Sequence, residues 1–202
     1  MKKIVPIAAI AIYVIGVLFW VVFLGLILFY HEERSTDNIV FYRTISGEIE
    51  GENSLKRWGD AYHVPCDYTL PQLPELMPYA SFRFDHKVTE YSLFHSYSYS
   101  LVLKYDAQDY PDKKAWLETV YPSLEEGIPG DELSYEPEFE LDGFWFRSIE
   151  GDFYPKNMLF IGYSDSRQEI AIIFFFDQDL DYMDTPPGNF LCENTGWNKV
   201  VE

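Results

Sequence analysis

Apolar positions run without interruption through residues 4–30, a stretch of 27 with no charge, and only afterwards break into alternating and helical patterns. A bilayer core about 30 Å thick is crossed by about 20 apolar residues in a helix rising about 1.5 Å each. The run exceeds that length, so it predicts one transmembrane helix with some tilt. Pro6 falls in the first turn, where its missing N–H costs little. Gly16 and Gly25 are tolerated in such helices, Trp20 would face lipid or a packing neighbour, and Tyr30 suits the aromatic belt. A cleaved signal peptide would have an apolar core of about 7–15 residues and a small-x-small site. Here the run ends in Ile27-Leu28-Phe29-Tyr30 without one, since Ala8, Ala9 and Ala11 come too early, and the first cysteine is Cys66.

Beyond residue 38 the pattern predicts a single α+β domain. Residues 31–38 read as a polar juxtamembrane link. Residues 39–45, rich in β-branched and aromatic side chains, read as a first strand. Residues 54–62 suggest a short helix. The four prolines in 65–78 suggest a loop with one helical turn between Pro74 and Pro78. Residues 79–85 alternate. The strongest alternation covers 91–105, with Tyr97, Tyr99, Leu101 and Leu103 on one face and Ser96, Ser98 and Ser100 on the other. That is the pattern of a half-buried antiparallel strand with an outward serine face, long enough to need a bend. Residues 109–121 predict the main packed helix, with Asp109 as cap, Pro111 in the first turn, Trp116, Leu117, Val120, Tyr121 and Leu124 at helical spacing, and Pro122 as terminator. Three strands at 143–149, 157–163 and 169–176 predict a C-terminal meander, with a tight turn at 164–167. Residues 170–176 are apolar on both faces and so predict a central strand, covered on one side by the helix. The resulting organisation is a cytoplasmic tip and anchor at 1–30, the link at 31–38, and an antiparallel α+β domain at 39–202.

Charge sets the direction. Lys2 and Lys3 precede the apolar run, whereas His31, Glu32, Glu33 and Arg34 follow it. Positive flanks stay inside, so the expectation is an N-terminus in the cytoplasm and residues 31–202 outside. Only Met1, Lys2 and Lys3 would then lie within the cell. The outer part carries 13 Lys+Arg against 33 Asp+Glu, a formal charge of −20. Such a surface repels nucleic acid and anionic headgroups and attracts cations or basic partners. Aromatic content of 18% argues against disorder. Outside the cytoplasm Cys66 and Cys192 are able to form a disulfide tying the start of the domain to its tail. His63 beside Cys66 does not complete a zinc site.

Two stretches carry a resemblance. One is Phe94-His95-Ser96-Tyr97-Ser98-Tyr99-Ser100-Leu101, continuing through Lys104-Tyr105-Asp106 to Trp116-Leu117-Glu118-Thr119-Val120-Tyr121. The other runs from Tyr154-Pro155-Lys156 through Ile161-Gly162-Tyr163-Ser164-Asp165 and Glu169-Ile170-Ala171 to Phe176-Asp177-Gln178-Asp179-Leu180-Asp181-Tyr182. Together, over about half of the outer domain, they resemble small membrane-attached extracytoplasmic proteins of Gram-positive bacteria. The resemblance implies an envelope setting and brings no catalytic residues with it.

Candidate chemistry is sparse. Asp177, Asp179 and Asp181 alternate, and on an extended segment their carboxylates share a face, which suits Ca²⁺. The EF-hand pattern fails, because Tyr182 and Gly188 stand where it needs Gly and Glu. A solvated acidic segment after a buried strand explains the same residues. Trp145 and Trp197, with Trp58, are candidates for stacking on glycans, although aromatic side chains equally serve a core. His95 falls on the aromatic face of its strand and reads as a core histidine. The chain has no G-x-S-x-G, H-E-x-x-H or G-x-G-x-x-G motif and no phosphate-binding loop. The expected function is therefore a non-enzymatic, membrane-anchored binding or accessory protein, held by the bilayer through residues 4–30 and working with another envelope protein. A cell-envelope glycan hydrolase or glycan-binding domain is the alternative, and a divalent-cation-responsive domain the second.

Overall fold

The computed structural model describes residues 4–29, 31–48, 70–91, 95–125, 138–153 and 156–177. The helices are α1 (Ile4–Phe29), α2 (Ile39–Ile45), α3 (Leu73–Leu76) and α4 (Tyr110–Val120). The strands are β1 (His31–Thr36), β2 (Ser81–Tyr91), β3 (His95–Lys104), β4 (Glu138–Leu141), β5 (Phe144–Phe153), β6 (Lys156–Ser164) and β7 (Glu169–Asp177). They form one antiparallel seven-stranded sheet in the order β1-β2-β3-β7-β6-β5-β4. The fold class is thus mixed α+β. Strand β7 is central, as its two apolar faces require. Its alternate residues divide between two cores: Ile170, Ile172, Phe174 and Phe176 enter one, and Ala171, Ile173 and Phe175 enter the other. Leu117 and Tyr110 of α4 and Phe41 and Tyr42 of α2 pack on the first face.

Several expectations are corrected. Residues 39–45 are the helix α2, not a strand. Asn38 caps it, its Oδ1 accepting from the Val40 N–H at 3.1 Å, and this local bond with the burial of Phe41 and Tyr42 outweighs β-branched propensity. Residues 31–36, expected within a polar link, form the edge strand β1 paired with β2, His31 opposite Tyr91 and Thr36 opposite His86. An edge strand has one paired side and tolerates polar side chains, which is why periodicity does not reveal it. The run 91–105 contains the end of β2 and all of β3, and its serine face is not outward: Ser96, Ser98 and Ser100 are buried. They lie opposite Asp177, Phe175 and Ile173 of the central strand, and since Tyr99, Leu101 and Leu103 on the other face are buried as well, both faces of β3 are covered. Asp109 occupies the N-cap of α4 without a side-chain cap bond, and Val120 is exposed while Leu117 is fully buried.

The acidic stretch before β5 contains β4, joined to β5 by the two-residue turn Asp142-Gly143 with φ of 50° and 69°. Both turn residues take the left-handed conformation that Asp-Gly accommodates in tight hairpins. Arg167, in the β6–β7 turn, reaches this hairpin: its guanidinium lies 4.3 Å over the Phe144 ring and donates to the Asp142 carbonyl at 2.6 Å. Gly162 of β6 lies under the ring of Phe146 on β5, where a Cβ would come within 2.5 Å. Buried tyrosines fasten the loop around α3. Tyr42 donates to the Pro71 carbonyl at 2.7 Å and Tyr105 to the Leu76 carbonyl at 2.8 Å, and burial pushes both hydroxyl pKa values up.

In α1 the side chains are described for residues 9–25, and those of residues 9–24 are all exposed. Among the described side chains, neither core includes one from α1. Among the described residues no helix is long and apolar enough to cross a membrane; the seventeen described side chains of α1 fall short of the roughly 20 a span needs. The α1 backbone itself is helical over 26 residues.

Candidate functional site

Helix α4 presents Tyr110, Lys114 and Glu118 at intervals of four, one stripe along its surface. The stripe faces the end of β6 and the β6–β7 turn. Between them is an open cleft of about 440 Å³, lined in part by Tyr110, Lys114, Glu118, Asp165 and Gln168. Asp165 Oδ1 accepts from the Tyr110 hydroxyl at 2.7 Å and from Lys114 Nζ at 2.8 Å. The hydrogen bonds from Lys114 and then Tyr110 hold the Asp165 carboxyl below its ordinary range. Burial, with the Asp165 bond next in size, drives the Tyr110 hydroxyl well above its own. Lys114 Nζ also stands 5.4 Å from the Tyr163 ring centre.

The network continues across the sheet. Glu118 pairs with Arg147 Nη1 at 3.5 Å, and Arg147 Nε donates to Glu138 Oε1 at 3.0 Å. The other oxygen of Glu138 accepts from the indole Nε1 of Trp145, also at 3.0 Å. Register explains the convergence. On β5, Trp145, Arg147 and Ile149 share the face that α4 covers, and Glu138 and Glu140 of β4 stand opposite Arg147 and Trp145. Trp145 remains 50% exposed. The arrangement leaves Lys114 of the stripe and Arg147 of β5 each held by a carboxylate, so the cleft offers hydrogen-bonding groups more than an unpaired charge, and the exposed Trp145 stands outside its lining.

Of the residues predicted as site candidates, Trp145 is placed in this cluster. Asp177 ends β7, with its side chain outside the described residues. Asp179, Asp181, Cys66, Cys192, Trp58 and Trp197 lie outside them entirely, as does the helix expected at 54–62. His95 begins β3, and its side chain is likewise not described. Among the described residues no group of three or more His, Cys, Asp or Glu is placed to hold a metal ion. Sequence reasoning missed Glu118, Glu138, Arg147, Lys114, Tyr110 and Asp165. The i, i+4, i+8 stripe of α4 is readable in the sequence; the strand β4 that brings Glu138 opposite Arg147 is not, and without it the cluster has no other side. No protein-family model matches the chain, and neither curated proteins nor solved structures give a match.

Proposed function

We propose that the chain is a single-pass envelope protein in which α1 anchors an acidic α+β domain outside the bilayer, where the domain acts as a binding or accessory module and not as an enzyme. The observation that carries this is α1. Its described stretch, residues 9–25, holds no charged residue and no polar group beyond those of the aromatic Tyr13 and Trp20, and the side chains of 9–24 are exposed on every side. A helix apolar all round is stable only with apolar surroundings, in a protein core or in lipid. The helical backbone of 26 residues is about 39 Å long, enough for a hydrocarbon core with tilt. Lys2 and Lys3 before it, against Arg34 alone in residues 31–34 that follow it, favour the domain outside. The ion-paired state of the described cleft carboxylates Glu118 and Asp165 favours a scaffold or binding role over general acid–base work.

The test is extraction of the full chain from membranes. Alkaline carbonate should leave it in the pellet and detergent should release it; release by carbonate alone would overturn the anchor. A second reading, hydrolysis of envelope glycans, is favoured by the two carboxylates, Glu118 and Asp165, that line the cleft. Release of reducing ends from wall glycan by the purified full chain would establish it in place of the non-enzymatic role.

A further inference from the structure

We propose that Trp145 is the stacking platform of a glycan-binding site, specific for uncharged pyranose chains, at the end of the sheet away from the bilayer. This site rests on the binding role given above and names its ligand.

The indole is the exposed tryptophan of the described domain, since Trp116 of α4 is half-buried against the core. A lone exposed tryptophan needs no explanation by itself. This one is fixed. Its single polar group is consumed by Glu138 at 3.0 Å, and Glu138 is itself held by Arg147 at 3.0 Å, which Glu118 of α4 holds in turn. The ring therefore has a set orientation and loses little conformational freedom when a ligand covers it. With Nε1–H occupied, the surface it offers is flat and apolar. The C–H face of a pyranose ring matches such a surface, whereas a side-chain cation would be drawn first to the surrounding carboxylates.

The rim supplies acceptors for hydroxyl groups. Glu140 is exposed directly opposite Trp145 across the β4–β5 pair. Beyond Arg147 the cleft along α4 carries Glu118, Asp165, Lys114 and Tyr110. Carboxylates accept from sugar hydroxyls, and the cleft, which Trp145 does not itself line, would take the part of a chain that extends past the platform toward α4. The excess of acids over bases, 33 against 15 in the whole chain, disfavours phosphate-bearing or uronic polymers.

Position selects a polymer over a lipid headgroup. Trp145 lies opposite Tyr163, and that row continues through Ile170, Leu103 and Phe82. Strand β1 follows α1 after one residue, and its first residue, His31, pairs with Tyr91. Phe82 and Tyr91 are nine positions apart on β2, so the platform stands about 30 Å along the sheet from the point where the chain leaves α1.

The experiment titrates the full chain, in lipid nanodiscs, with two neutral tetrasaccharides, chitotetraose and cellotetraose, and with an anionic one, tetragalacturonate, by calorimetry. The expected result is binding of at least one neutral probe, weaker or absent binding of the anionic one, and a loss of at least about tenfold in affinity for Trp145→Ala, the scale of one lost aromatic contact. Trp145→Phe should recover part of it. Phe82→Ala, which removes another exposed ring on the same sheet face, should change nothing. Equal melting temperatures of Trp145→Ala and the parent secure the fold. Failure of both neutral probes to bind at millimolar concentration, or undiminished binding by Trp145→Ala, overturns the site while leaving the anchored binding role intact. Cleavage of a bound tetrasaccharide that disappears in Trp145→Ala keeps the site and overturns the non-enzymatic role.

Discussion

His86 of β2 is fully buried between aromatic rings, 4.6 Å from Tyr99 of β3 and 5.7 Å from Phe41 of α2. Burial opposes its charged form and lowers its pKa from 6.5 to about 4. The folded state thus excludes a proton that the unfolded chain accepts below about pH 6.5. Stability from this residue is whole above that pH and falls progressively as pH drops to about 4, by up to about 3 kcal/mol. Urea unfolding of the full chain at pH 7 and pH 4 should show this decline, and His86→Phe, which keeps a ring in the stack, should flatten it. An identical acid slope in the variant would contradict the assignment. The sequence points instead to His95, one strand later. The position of His86 is nonetheless encoded, because Phe84, His86 and Val88 alternate onto one face and only the cover from α2 is missing from the pattern.

Among elements, those whose pattern is set by burial on both sides are the most legible. Residues 170–176 predict the central strand β7 because no exposed face interrupts Ile170, Ala171, Ile172, Ile173, Phe174, Phe175 and Phe176. Helix α4 is legible from the spacing of Trp116, Leu117 and Tyr121 and from Pro122. Elements at the margins are not. β1 is polar because it lies on an edge, and α2 is short enough for one cap at Asn38 to decide it. The Asp142-Gly143 turn is a hairpin signal that the acidic composition around it obscures. Pairing geometry adds what spacing cannot show: Phe146 covers Gly162 across the β5–β6 pair. A methyl group there would drive the ring from its place. Gly162→Ala should destabilise by about 1–3 kcal/mol, as overpacking does, read as a lower urea midpoint with unchanged slope. A midpoint equal to that of the parent would show that the ring can move aside.

At the scale of the whole molecule, sequence and structure meet in the joint between α1 and the sheet. The apolar run and its flanking charges are plain in the sequence; that β1 begins one residue after α1 is not. This leaves no stalk. The sheet end bearing His31, and Tyr91 paired with it, lies next to the end of α1, and the end bearing Trp145 and the α4 cleft lies away from it. Of the candidate site the sequence names Trp145 and allows the α4 stripe and the 164–167 turn to be read, but not their meeting, because Glu138 reaches Arg147 only through the pairing of β4 with β5. An anchored binding role depends on α1 crossing the bilayer with the domain outside. The most direct test fuses alkaline phosphatase, active only outside the cytoplasm, and a green fluorescent protein that matures only inside it, in separate strains after Glu202. Phosphatase activity without fluorescence is expected, reversed when Lys2 and Lys3 are changed to Glu together with Glu32→Lys and Glu33→Lys. Fluorescence without phosphatase activity in the unmodified chain would contradict the proposed topology.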